Sequence, residues 1–169
     1  MLYKTQGIII KRTNLGEVDR LLTVYTKDFG KILVRAKSVR RSQSKLKGHL
    51  ELFLHSHLSL APGKNLDIIT GAETIERFSG LHQQLPYLAT AYYLSEVIDK
   101  SLAGPEKDEQ IWQLILSSFY NLDQEKMDVK ILIANFQRKL SGFLGYGESQ
   151  SNEEIYAKAF LQKALDLLR

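Results

Sequence analysis

The sequence predicts an α+β protein: an amino-terminal five-stranded β-barrel followed by a small α-helical domain. Three observations predict it. The first 77 or so residues form five stretches of β-branched and aromatic side chains between turn signals, and the rest repeats its apolar residues at a helical period. The five stretches are short and joined by unequal loops, as in a small closed or nearly closed barrel. A chain of 169 residues, 44% hydrophobic and 25% charged, has the composition of a folded protein with one sizeable core or two small ones. The expected division is a barrel domain over 1–79 and a helical domain over 80–169.

The first strand, expected over 3–13, leads into the turn signal Thr13-Asn-Leu-Gly16. The second, over 20–26, is followed by Thr26-Lys-Asp-Phe-Gly30, a connection of hairpin size. In the third, over 30–39, Ile32, Val34 and Ala36 point one way and Lys31, Leu33, Arg35 and Lys37 the other, so the polar face is a row of cations. The fourth, over 50–60, places Leu50, Leu52, Leu54, Leu58 and Leu60 on a core face and Glu51, Phe53, His55, His57 and Ser59 on a wet one. Ala61-Pro-Gly-Lys-Asn65 then turns the chain into the fifth, over 66–76.

Beyond the strands, Leu81, Leu85, Leu88, Tyr92 and Val97 recur at helical spacing, with Pro86 marking a first turn or a kink. A second helix follows the Ala103-Gly-Pro105 break and carries Ile111, Trp112, Ile115 and Phe119. The third runs from about Asp128 through Ile131, Ile133, Phe136 and Leu140 to Gly145. The fourth opens on the capping-box spacing Ser151-Asn-Glu-Glu154.

Charge is distributed unevenly. Residues 1–48 hold 12 basic side chains against three acidic ones, Glu17, Asp19 and Asp28, while the remainder is net −5 within a total of +4. A segment this basic attracts a polyanion by neutralising phosphates and releasing their counterions. Its densest part, Lys37-Ser-Val-Arg40-Arg41-Ser-Gln-Ser-Lys45-Leu-Lys47-Gly48, reads as a mobile basic loop. The absence of cysteine excludes a disulfide scaffold, thiolate zinc sites and cysteine nucleophiles, and fits a reducing cytoplasm. No window approaches the roughly 18 apolar residues of a membrane span, so the chain is expected to be neither exported nor embedded.

Three constellations invite chemistry, and none compels it. His55-Ser-His57 puts two imidazoles on one strand face but brings no third ligand. Asp28-Phe-Gly30 spells the kinase metal motif without the glycine-rich and catalytic loops that give it meaning. Asp67, Glu73 and Glu76 suggest a nuclease cluster, but residues three apart in a strand face opposite ways. The expectation is a protein that is not an enzyme, with no metal and no cofactor.

The opening of the chain resembles the start of the RecO family of bacterial recombination mediators. The features that carry the resemblance occur in order: Tyr3-Lys4-Thr5 to Gly7-Ile8, Gly16-Glu17-Val18-Asp19-Arg20 leading into Leu21-Leu22, Phe29-Gly30-Lys31, and Ala36-Lys37 through Arg40-Arg41 to Leu46 and Gly48. A second block, Phe136 to Leu144-Gly145-Tyr146, resembles the family's helix end before its metal-binding insert. The resemblance implies an OB barrel that binds single- and double-stranded DNA, joined to a helical domain. It also implies strand annealing, contact with the acidic carboxy-terminal tail of single-strand-binding protein, work with RecR in loading recombinase, and a cytoplasmic, nucleoid-associated location in bacteria. Many members carry a four-cysteine zinc finger after that block, where this chain reads Gly147-Glu-Ser-Gln-Ser-Asn152, so it is expected to be a short form lacking the finger.

Together these readings place phosphate contacts at Lys31, Arg35 and Lys37 on the third strand and at Arg40, Arg41, Lys45 and Lys47 in the loop, flanked by Lys11, Arg12 and Arg20. Base stacking falls to Phe53 or Tyr25, with Tyr25 equally suited to the core. Arg138 and Lys139, beside Phe136, Leu140 and Phe143, suit an acidic tail with a hydrophobic end, or simply coat their helix. Two other functions share the same residues: an adaptor whose basic loop docks an acidic protein, and a small RNA-binding barrel.

Overall fold

Runs rich in Ile, Leu, Val and Thr pair into five strands in a computed structural model that describes residues 1–145. They are β1 (Tyr3–Leu15), β2 (Asp19–Thr26), β3 (Gly30–Ala36), β4 (His55–Ala61) and β5 (Asp67–Glu76). The strands close into a barrel in the order β1-β2-β3-β5-β4, with β4 returning to β1. All pairings are antiparallel except β3 with β5, a parallel seam of two residue pairs, Val34 with Asp67 and Arg35 with Ile68. This is the OB fold, followed by helices.

β1 is long because it serves two neighbours: Tyr3 to Ile8 pair with β4, and Gly7 to Leu15 pair with β2. The register slips between Ile9 and Lys11, and this bulge accompanies the burial of three consecutive residues, Ile8, Ile9 and Ile10, against strict alternation. Gly7 marks a close approach of the two strands, since a Cβ there would lie 2.6 Å from Val24 Cγ1 and 2.8 Å from the Tyr25 carbonyl oxygen. Inside, Ile9, Leu22, Val24, Val34, Ala36, Val39, Leu50, Leu58, Leu60 and Ile69 form the barrel core. Each fully buried Leu or Ile contributes about 2 kcal/mol.

The expected fourth strand is corrected at its start. Residues 50–54 are not extended: a short 3-10 turn, Lys47–His49, leads into a segment of bends and turns, and β4 begins only at His55. Leu50 and Leu54 are buried as expected, yet Phe53 takes φ +66 and donates its N–H to the Ile9 carbonyl at 2.8 Å. The even-numbered leucines therefore serve the core by two different geometries.

The described chain divides into two compact units, residues 1–77 with Asp99–Asp108, and Phe78–Ile98 with the residues from Glu109 onward. In the first unit, the connector 99–108 lies on the barrel wall beside Gly30. That glycine has φ +67, and a Cβ on it would meet the Glu106 carbonyl oxygen at 2.2 Å. The second unit contains α2 (Glu109–Gln124), α3 (Val129–Phe143) and most of α1 (Leu85–Ser101). Pro86 falls in the first turn of α1, where its missing N–H costs nothing. Asp128 caps α3 by accepting the backbone N–H of Lys130 and Ile131. Ile111, Trp112, Ile115 and Phe119 of α2 and Ile133, Phe136 and Leu140 of α3 are buried, but Ile131 is 55% exposed and leaves the expected apolar face. The fourth expected helix, from Ser151, lies outside the described residues. No described helix is long and apolar enough to cross a membrane.

Candidate nucleic-acid interface

The ten cations that the sequence assigns to phosphates fall into two groups. On the barrel wall, five already hold carboxylates. Arg12 donates to Glu51, and Arg20 Nη1 lies 3.5 Å from the other oxygen of the same carboxylate. Lys11 and Lys31 both face Asp99 in the last turn of α1, each at 3.5 Å, and Lys31 Nζ donates to the Asp99 carbonyl at 2.7 Å. Arg35 donates through Nε, at 2.9 Å, and through Nη2 to one oxygen of Asp19. The expected open row of cations on β3 is thus corrected: Lys31 and Arg35 are neutralised by acids from outside that strand, and Lys31 has only 16% of its side chain exposed.

The loop behaves differently. Lys37, Arg41, Lys45 and Lys47 are exposed and form no ion pair with any described residue. Arg40 stands between the groups, half-buried, with Nη1 donating to the Gly16 carbonyl at 3.1 Å and its N–H to the Val18 carbonyl at 2.9 Å. Backbone bonds coil the segment into successive turns. Arg41 N–H reaches the Ser38 carbonyl, Ser44 N–H the Arg41 carbonyl, and His49 N–H the Leu46 carbonyl. Both ends are tied down: the Asp19 carboxylate accepts Ser38 N–H at 2.6 Å, and His49 Nδ1 accepts Thr74 N–H at 3.2 Å. Three hydrogen-bonded donors, Ser38 N–H foremost, hold the Asp19 carboxyl below the usual carboxylate range.

Neither expected stacking ring is available on the surface. Tyr25 is 2% exposed and Phe53 1% exposed, so both belong to the interior. Burial, with Asp108 and Glu106 nearby, pushes the Tyr25 hydroxyl up to about 12. The two histidines of β4 also separate. His55 is buried, bonded to Gln6 Oε1 at 2.7 Å and lowered to about 4 by loss of solvent, whereas His57 is exposed opposite Glu73. Among the described residues no three His, Asp or Glu side chains gather to hold a metal.

In the helical unit Arg138 and Lys139 are both exposed, but Phe136 and Leu140 are buried at 1% and 3% and offer no apolar surface. The apolar lining beside Lys139 instead comes from exposed Phe143 and mostly buried Leu114, in a groove of about 410 Å³ between α2 and α3 that Glu109 also lines. Arg138 bonds its neighbour Asn135 and does not line that groove.

Net charge by segment counts the acids Asp19, Glu51 and Asp99 but does not show which cations they hold. Asp19 had a usable signal. Pairing of Thr26 with Gly30 and of Leu21 with Arg35 sets the β2–β3 register, and that register puts Asp19 diagonal to Arg35 on the outer face.

Comparison with known proteins bears on both units. The family described as Recombination protein O N terminal matches residues 1–78, and the one described as Recombination protein O C terminal matches residues 82–164. A DNA repair protein RecO of Dehalococcoides mccartyi is 43% identical over 121 residues, covering 72% of this chain and 48% of that protein. Those of Trichodesmium erythraeum and Roseiflexus sp. are 36% and 33% identical, over 146 and 145 residues, each covering 86% of this chain and 50% of its own length. The chain spans about half the length of the curated relatives it matches.

Proposed function

The chain belongs to the RecO family, and on that premise we propose that it is a DNA-binding recombination mediator in DNA repair. In this reading the barrel domain, residues 1–79, binds single- and double-stranded DNA and anneals complementary strands. The helical domain, from residue 80, helps it load recombinase with RecR and single-strand-binding protein. The observation that carries the reading is the β3–β4 loop, where Lys37, Arg41, Lys45 and Lys47 stand exposed and form no ion pair with any described residue. Such cations take phosphates without first breaking an ion pair, and each phosphate taken releases counterions.

Annealing follows from the same electrostatics. Two strands whose phosphates are neutralised repel each other less, and backbone contacts leave their base edges free to pair. No covalent step is involved. With Tyr25 and Phe53 buried, affinity rests on phosphates and carries little sequence preference. For the acidic tail of single-strand-binding protein, Lys139 supplies charge and Leu114 with Phe143 the apolar lining, with Arg138 at the periphery.

Annealing of complementary oligonucleotides across a salt series, with and without single-strand-binding protein, tests the proposal. If the four loop cations make the contacts, log affinity for a single strand falls against log salt with a slope of about −3. An affinity indifferent to salt would overturn the reading. Capture of an acidic protein partner undiminished by excess oligonucleotide would replace it with the adaptor function.

A further inference from the structure

We infer that Asp19 is the positioning residue of the β3–β4 loop: its carboxylate fixes the direction in which the loop leaves the barrel and so presents Lys37, Arg41, Lys45 and Lys47 as one phosphate-binding set. The inference rests on the loop being the DNA contact, and three structural facts support it. First, Asp19 uses both carboxylate oxygens, one on the Arg35 guanidinium and the other on Ser38 N–H at 2.6 Å. Second, Ser38 sits at φ +55, a left-handed conformation that a residue with a Cβ rarely adopts and that its surroundings must hold in place. Third, the turn just before Asp19 grips a further loop residue, since the Val18 carbonyl accepts Arg40 N–H and the Gly16 carbonyl accepts a hydrogen bond from Arg40 Nη1. The β1–β2 turn and the first residue of β2 thus clamp the root of the loop, and Asp19 is the buried member of the clamp, 8% exposed.

The role predicts an effect opposite in sign to that of charge alone. Removing a carboxylate from a basic surface, and freeing Arg35, would by simple electrostatics tighten DNA binding and steepen its salt dependence. Loss of a positioning residue loosens the loop, raises the cost of ordering it on DNA and leaves fewer cations engaged together.

The test uses the full chain with Asp19→Ala and Asp19→Asn, each checked for folding by circular dichroism. Two quantities are read: trypsin cleavage within residues 37–47, mapped by mass spectrometry without DNA, and single-strand affinity across a salt series. For Asp19→Ala, loop cleavage should rise by about tenfold as local opening becomes easier. Affinity should fall by about fivefold through lost preorganisation, with a salt slope shallower by about one phosphate. Asp19→Asn keeps the size and one acceptor for Ser38 N–H, so it should restore part of both effects and serves alone if the alanine variant does not fold. Unchanged loop cleavage in both variants would overturn the inference, as would tighter binding with a steeper slope. Failure of the unsubstituted chain to bind DNA would remove the functional reading and the role with it, and the cleavage data would still show whether Asp19 holds the loop.

Discussion

The barrel wall and the β3–β4 loop carry similar numbers of cations and use them in opposite ways. On the wall, Arg12 and Arg20 share Glu51, Arg35 holds Asp19, and Lys11 and Lys31 converge on Asp99, so each charge is spent on the fold. In the loop, Lys37, Arg41, Lys45 and Lys47 face solvent and form no ion pair with any described residue. Proximity in sequence does not separate the two groups: Arg35 and Lys37 are two residues apart. A formed ion pair does, since Asp19 lies near both and pairs only with Arg35, and net charge alone conceals it.

The largest expected effect comes from reversing the loop. Arg41→Glu with Lys45→Glu should weaken single-strand binding on the order of hundredfold near about 50 mM salt. Reversing two wall cations, Lys11 and Lys31, should cost far less, and equal losses in fluorescence anisotropy would erase the distinction. The wall in turn should feel pH. His55 in the folded barrel titrates near 4 against 6.5 when free, so between those values the unfolded chain takes up a proton that the folded one refuses. Stability therefore falls as pH drops from 6.5 toward 4, by roughly 2–3 kcal/mol. Urea unfolding of His55→Gln should show that slope flattened, and an unchanged slope would place the titration elsewhere.

Smaller effects sharpen the same contrast. Arg35→Ala strands a mostly buried carboxylate and should destabilise the barrel by about 1–2 kcal/mol, whereas Lys47→Ala should leave the melting temperature unmoved. The smallest effect is expected at Lys11, more than half exposed and 3.5 Å from Asp99. Its replacement by Ala should shift stability by less than about 0.5 kcal/mol and DNA affinity by under about twofold.

Much of the barrel was legible because alternation reports a half-buried strand directly, as in Ile32, Val34 and Ala36 of β3. Where geometry departs from alternation, the reading failed. Leu50 and Leu54 keep an even spacing in a segment of bends and turns, and Phe53, on the supposed wet face, is buried through a left-handed backbone. At the candidate site, the basic loop was visible as a run of like charge. The pairing of wall cations was not, because Glu51 reaches Arg12 and Arg20 across 39 and 31 residues of chain, and Asp99 lies in the last turn of α1, whose approach to the barrel no local pattern announces.

The parallel seam between β3 and β5 deserves a dynamic reading. Two residue pairs close it, against seven between β2 and β3, and one of the two is Arg35 with Ile68. Amide protons along that edge have few backbone bonds shielding them, so hydrogen exchange should be fastest there among the strand pairs. The seam lies two residues from Lys37, and a barrel that unzips along it would also release the foot of the loop. Closure of the cylinder and readiness of the loop would then rise and fall as a single equilibrium.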